Sequence, residues 1–354
     1  AQTTTVFSSD FSTSAGTSYS AANGLIGTNS TWSFLRSGTD FGARINSGYL
    51  ALTNDATGTA NVSGWGLAYA NNAVSAPYST ALASNPGLVT WTFNMRQVRS
   101  NPSGPASGYY ANAFVLAGTS NTTATTGSGY AVILGQSGKT DRLRLIRYTA
   151  GIRTSSDIIT SNTSGLSDFG NQYLSVKVTY NPASNTWELF VRNDGSIFQD
   201  PAAGSLTSQG TAVNSGSTAT SLPLIGTYWN AATKRNQTSF FDNIRVTVAT
   251  PFITTLSPPS RIAGTGAFSL VVGGSNFTPA SIVQWNGSSR TTTYNSATGI
   301  TAAITAADIA SAGTVPITVI TGTTVSNTVN FTIDVAGVPT ISPSTNVLPG
   351  FSTV

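Results

Sequence analysis

Residues 173–193 read YLSVKVTYNPASNTWELFVRN, and their pattern decides the fold. Leu174, Val176, Val178 and Tyr180 alternate with Ser175, Lys177 and Thr179; Trp187, Leu189 and Val191 then alternate with Glu188, Phe190 and Arg192. A period of two in both runs predicts two strands. The link from Asn181 to Asn185 is turn chemistry: Pro182 fixes φ, and the Asn and Ser side chains bond their own backbone. The expectation is an antiparallel hairpin with one packed face and one wet face.

Similar short runs fill the first 249 residues: TVFSSDF at the start, GYLALT (48–53), LVTWTFNMR (88–96), ANAFVLAG (111–118), GYAVILG (129–135), DRLRLIRY (141–148), LPLIGTYW (222–229) and FFDNIRVTV (240–248). Strands at this spacing without helical crossovers predict a sandwich. The stretch from Pro201 to Ser221 is expected to wrap an edge as a loop. Pro251 and Pro258-Pro259 mark a boundary, beyond which runs at 268–277, 281–287, 299–305, 315–321 and 329–334 predict a smaller sandwich of immunoglobulin size. The fold class is all-β, with domains at 1–249 and 250–335 and a tail at 336–354. The one helix candidate is AADIASAG at 306–313.

Asp10-Phe11, the run GYAVILGQSGKTDRLRLIRY, the central hairpin and the closing FDNIRV (241–246) together resemble the concanavalin A-like lectin/glucanase superfamily, in the laminin-G-like form common in secreted bacterial proteins. The resemblance covers nearly all of the first 249 residues and implies a jelly-roll sandwich; it names a fold and not an activity. Gly273-Gly274-Ser275-Asn276-Phe277 followed by Val283-Gln284-Trp285-Asn286-Gly287 resembles the IPT/TIG family of Ig-like domains. Asn286-Gly287 is also a strong hairpin signal on its own. Pro339-Thr340-Ile341-Ser342-Pro343 echoes the start of that domain 88 residues later, so the tail is expected to open a further repeat or to dock on another copy.

Composition removes whole classes of chemistry. The chain has no Cys and no His, which excludes disulfides, thiolate ligands and every Ser-His triad. Charged residues make up only 8% of it, so hydroxyls and amides must solubilise the surface. Glu188 is its single Glu. Glucanases of the resembled superfamily carry two Glu and an Asp on one strand, and TWELFVRN cannot supply the carboxylate pair that glycoside hydrolysis needs. No enzyme is expected.

The resemblance also implies a structural calcium ion between the first and last strands, with Asp10, Asp242 and Asn243 as ligands; the plainer reading is a capping or turn aspartate. Asp242 shares a strand side with Ile244 and Val246, which predicts an inward carboxylate in need of a partner. Trp65, Tyr109, Tyr110, Tyr228 and Trp229, placed in loops or at strand ends, are the candidate sugar platforms, with core packing as the other reading of each. The cluster Lys139, Arg142, Arg144, Arg147 and Arg153 suits a charged outer face better than nucleic acid, which needs cations converging on one side. No apolar stretch is long enough to span a membrane. Ala1-Gln2-Thr3 looks like the start left by signal-peptide cleavage, so a secreted or cell-surface protein is expected. The functions these features point to are binding and adhesion to a polysaccharide or surface glycan, or self-association into a surface filament through the tail.

Overall fold

The computed structural model describes residues 2–12, 24–26, 31–46, 48–54, 64–70, 74–105, 110–121, 125–136, 138, 140–231 and 237–337. The structure is 55% strand, and no α-helix occurs among the described residues. The segment 306–313 forms only a 3-10 turn, Ala307–Ile309. The chain divides into two compact units at the Pro251–Phe252 junction. The tail expectation falls on residues 338–354, outside the described ones.

Among the described residues, sixteen strands build the first unit: β1 Thr3–Ser9, β2 Gly24–Leu25, β3 Trp32–Ser37, β4 Gly42–Asn46, β5 Tyr49–Thr53, β6 Trp65–Ala70, β7 Val89–Gln97, β8 Tyr110–Gly118, β9 Gly129–Leu134, β10 Leu143–Tyr148, β11 Ser155–Thr160, β12 Leu174–Asn181, β13 Thr186–Asn193, β14 Thr207–Val213, β15 Leu224–Ala231 and β16 Thr238–Ala249. They form two antiparallel sheets. The first runs β14-β13-β12-β7-β16-β5-β4 with β1 beside β16, and the second runs β11-β10-β9-β8-β15-β6-β3-β2.

The hairpin β12–β13 pairs in register from Leu174↔Asn193 to Asn181↔Thr186. Its turn is held by the Ala183 N–H donating to Asn181 Oδ1 at 3.0 Å and by Asn185 in the left-handed region, φ 53°. Leu174, Val176, Val178, Tyr180, Trp187, Leu189 and Val191 are all buried. Trp187 lies 4.4 Å from Tyr130, 4.6 Å from Tyr180 and 5.9 Å from Trp91, centroid to centroid. Between the sheets, Phe93 of β7 stacks on Phe114 of β8 at 4.0 Å.

Three expectations are corrected. Residues 201–221 are not simply a loop: Thr207–Val213 is the edge strand β14, paired with β13, whose small and polar side chains gave no alternating apolar signal. Trp65 opens strand β6 and does not sit in a loop. Asp242 does not share the inward side of Ile244 and Val246. The β7–β16 register slips between Asp242 and Arg245, with Asn243 at φ 47°, and this bulge turns Phe241 and Ile244 inward on either side of it. Phe240 and Asp242 therefore share the outer face.

In the second unit β17 Phe252–Ser257, β18 Ser260–Ile262, β19 Phe268–Ser275, β20 Ser281–Trp285, β21 Ser288–Ser289, β22 Thr292–Ser296, β23 Gly299–Ile304, β24 Gly313–Thr321, β25 Thr324–Val325 and β26 Val329–Asp334 form two sheets, β17-β19-β23-β22 and β18-β26-β24-β20-β21, with β25 on β24. Asn286 and Gly287 both take positive φ, 49° and 77°, and Trp285 pairs with Ser288. This is the two-residue turn that the Asn-Gly pair predicts. Trp285 and Phe331 centre the core, 5.1 Å apart.

Candidate functional site

The bulge in β16 organises the outer face of the first sheet. Register puts Phe240 beside Arg96 and Asp242 beside Asn94, while Tyr173 comes just before the Leu174↔Met95 pair. The segment after β13 brings Ile197 and Phe198 over this face. The result is a cleft of about 320 Å³ lined by Tyr49, Arg96, Tyr173, Ile197, Phe198, Phe240 and Asp242. Its rings are half-exposed and set at right angles in pairs: Tyr49 on Phe240 at 5.3 Å, and Tyr173 on Phe198 at 5.0 Å. The Arg96 guanidinium lies 4.3 Å from the Tyr173 ring centre and 5.8 Å from that of Phe240, and its Nε donates to the Asn171 carbonyl at 3.0 Å.

A buried polar network holds the covering segment. Asp194 accepts hydrogen bonds from Arg192 Nε at 2.7 Å, Ser175 Oγ at 2.7 Å, the Gln199 N–H at 3.0 Å and Asn94 Nδ2 at 3.2 Å. This explains why Ser175, on the hairpin face predicted to be wet, and Asn94 are both fully buried. Asn94 Nδ2 also donates to the Leu174 and Gln199 carbonyls, which fixes its Oδ1 toward Asn243 Nδ2 at 2.7 Å.

Next to the aromatic cleft lies a polar one of about 580 Å³, lined among others by Asp10, Trp32, Thr92, Asp200, Asn243 and Arg245. Strand β1 pairs with β16 as far as Ser9↔Ile244, so Asp10 arrives close to Asp242. The Ser12 hydroxyl and N–H, donating at 2.8 and 3.1 Å, hold Asp10 below the usual carboxylate range. Burial pushes Asp242 up to about 6; the Asn243 N–H opposes this and the Asp10 charge adds to it. Asn243 faces Asp242 as a donor, through its N–H at 2.7 Å and its Nδ2 at 3.3 Å. The Asn243 side chain turns its nitrogen and not its oxygen toward the Asp242 carboxyl. Among the described residues no group of three or more carboxylates gathers at a metal-holding spacing.

Three of the aromatics singled out in the sequence, Trp65, Tyr228 and Trp229, lie elsewhere. Trp65 is 6% exposed, and Tyr228 and Trp229 are fully buried. Trp65 and Tyr228 stack at 6.5 Å within an apolar layer on the outer side of the second sheet, and the Tyr228 hydroxyl accepts from Arg153. Trp229 faces the sandwich core. Both faces of β15 are covered, so neighbouring residues are buried on opposite sides. Tyr109 and the Tyr110 side chain lie outside the described residues. Of the cleft aromatics, Tyr49, Tyr173 and Phe240 were missed because each reads as an ordinary residue at the start of a strand, and Phe198 because no strand pattern surrounds it. Phe240 carried one usable signal, since adjacent Phe240 and Phe241 cannot both face the core.

The cationic cluster is engaged in its own surroundings. Arg144 pairs with Asp157 at 2.7 Å, Arg142 donates to the Ser161 carbonyl at 2.8 Å, and Arg147 holds Gly216 and Ser217. Lys139 lies outside the described residues.

No protein-family model matches the chain, and no curated protein matches it in sequence. Solved structures that the chain resembles include lectins and lectin-like proteins. Arcelin-5, a lectin-like defense protein from Phaseolus vulgaris, is 15% identical, covering 70% of this chain and 99% of its own, at TM-score 0.40. Basic winged bean lectin with Tn-antigen is 13% identical over 70% of this chain and 99% of its own, at 0.41. The VIP36 exoplasmic/lumenal domain in its Ca2+/Man3GlcNAc-bound form is 11% identical over 62% of this chain and 83% of its own, at 0.39. At scores this low the likeness carries neither family nor ligand to this chain, and the two-sheet sandwich rests on its own strand order.

Proposed function

We propose that the first unit is a non-catalytic, extracellular carbohydrate-binding module, with the second unit as a spacer, in an adhesion role at a cell surface. The observation that carries this reading is the aromatic cleft on the outer face of the first sheet. Half-exposed rings offer apolar faces for the C–H side of a sugar, and Arg96 and Asp242 offer a donor and an acceptor for its hydroxyls. Glu188, the single Glu, accepts from Ser208 Oγ at 2.6 Å on the outer face, away from both clefts. Screening the intact protein by affinity electrophoresis in polysaccharide gels tests the reading. Tyr173→Ala and Phe240→Ala should each weaken retention about tenfold or more, since losing a ring contact removes roughly 1.5–3 kcal/mol of burial. Unchanged retention in both variants would remove the cleft from the account.

The same proposal gives Asp10 and Asp242 a shared calcium ion, supported by the mutual repulsion that a divalent cation relieves. Chelation should lower the melting temperature, and Asp242→Asn should lose part of that response. Protons compete with the ion for Asp242, whose metal-free carboxyl is raised to about 6, so calcium affinity and the stabilisation it brings fall as the pH drops below that value. Without metal, a carboxyl raised from 3.8 to about 6 binds more protons folded than unfolded in that window, so its contribution falls as pH rises. Melting curves from pH 4 to 8 with and without calcium check both; parallel curves would reject the site.

A further inference from the structure

Arg96 is held in the aromatic cleft with its donor fork left open. Strand register sets it directly across from Phe240, and its guanidinium lies against the Tyr173 and Phe240 rings. The Nε–H, donating to the Asn171 carbonyl, anchors one edge of the group. Its two terminal nitrogens make no hydrogen bond or ion pair among the described residues, and neither is buried. Two other arginines of this unit show the contrast. Arg192 donates to Asp194, to Ser175 and to the Ala203 and Asp200 carbonyls, and Arg144 to Asp157 and the Gly135 carbonyl. Asp242 lines the same cleft as Arg96 yet forms no ion pair with it, accepting from Asn243 instead.

A guanidinium presents two parallel N–H groups that match the two oxygens of a carboxylate, and such charge-assisted bonds are roughly twice as strong as neutral ones. Sugar hydroxyls alone would use the fork and leave its charge unpaired. Asp242 stands two residues along β16 from Phe240, about 7 Å on, so fork and acceptor are offset along the cleft. A pyranose uronate has the matching polarity. Its carboxylate projects from C5, its 2- and 3-hydroxyls lie toward the far edge of the ring, and its C–H faces are apolar. Charge balance agrees: 14 of the 16 Lys and Arg but only 10 of the 12 Asp and Glu precede residue 250, so the net charge of +4 resides in the part that carries the cleft and draws a polyanion to it. Resting on the reading of this cleft as a sugar site, we propose that its ligand is an acidic glycan, with a uronate carboxylate paired to the terminal nitrogens of Arg96. The uronate ring lies against Tyr173 and Phe240, and its hydroxyls donate to Asp242.

Calorimetric titration of the intact protein, with chelator present and about 0.15 M salt to screen general attraction, tests this. The probes are oligomers of galacturonate, glucuronate and mannuronate, each beside the same oligomer with its carboxyls reduced to alcohols, and a sulfated oligosaccharide of equal length. At least one oligouronate should bind, and its reduced form should bind about tenfold more weakly or worse. Arg96→Lys, which keeps the charge and loses the fork, should weaken the uronate by a similar factor and leave the reduced oligomer almost unchanged. Lys177→Gln, which removes a charge from the same face outside the cleft, should weaken it by less than about threefold. Equal affinity for the uronate and its reduced form, both lowered in Tyr173→Ala, would overturn the acidic class while leaving a sugar site in the cleft. A sulfated oligomer bound as tightly as the uronate and undiminished in Arg96→Lys would overturn it in favour of general charge attraction. Binding of none of these probes, with retention of a neutral polysaccharide, would overturn it as well, and no binding of any glycan would overturn the sugar site with it.

Discussion

Replacing Trp187 by alanine should cost about 3–5 kcal/mol of stability, the range for removing a large aromatic from a closed core. Trp187 is fully buried, contacts Trp91, Tyr130 and Tyr180, and donates its indole N–H to the Asn214 carbonyl at 3.0 Å. Its loss would remove the centre of that ring cluster and orphan the carbonyl. Its strand neighbour three positions on provides the contrast. Phe190 points outward, directly across the hairpin from Lys177, whose Nζ lies 3.8 Å from the ring centre. An exposed cation–π contact contributes about 0.5–1 kcal/mol, so Phe190→Ala should be several times milder. Urea denaturation of both variants reads the difference; equal losses would contradict the sidedness of the hairpin.

Asp194→Ala is expected to be nearly as damaging and to act on the binding face as well. The Asp194 side chain is fully buried, its ion pair with Arg192 measures 2.7 Å, and three further donors converge on it. Removing one partner of a buried pair typically costs about 3–5 kcal/mol, because the other charge is left uncompensated. This network seats the segment that carries Ile197 and Phe198, so the variant should also lose one wall of the aromatic cleft. A variant that unfolds at lower urea yet retains polysaccharide as the wild type does would separate the network from the site.

The strands with strong alternation were legible in the sequence. The hairpin 173–193 lies where its pattern puts it, and LVTWTFNMR and GYAVILG match β7 and β9 to within a residue. Strand β14 was not legible, because TSQGTAV alternates nothing apolar and is held by its pairing with β13. The clefts were hidden for a different reason. A two-residue period places Asp242 inward with Ile244, and only the bulge, with Asn243 in a left-handed conformation, reverses that. A local break of register rearranges a whole face while leaving composition untouched. Proximity of Asp10 to Asp242 was visible in the expected pairing of first and last strands. Trp65, Tyr228 and Trp229 are buried because both faces of the second sheet are covered at β6 and β15, and a sequence does not show how many layers lie over a strand.

The central claim is that sugar binds over the rings of the outer face. Amide and side-chain NMR shifts of the intact protein, followed during titration with a retained glycan, test it most directly. The account predicts perturbations centred on Tyr49, Arg96, Tyr173, Phe198 and Phe240, abolished in Tyr173→Ala. Perturbations centred instead on the segment around Tyr109 and Tyr110, with the outer face silent, would contradict it.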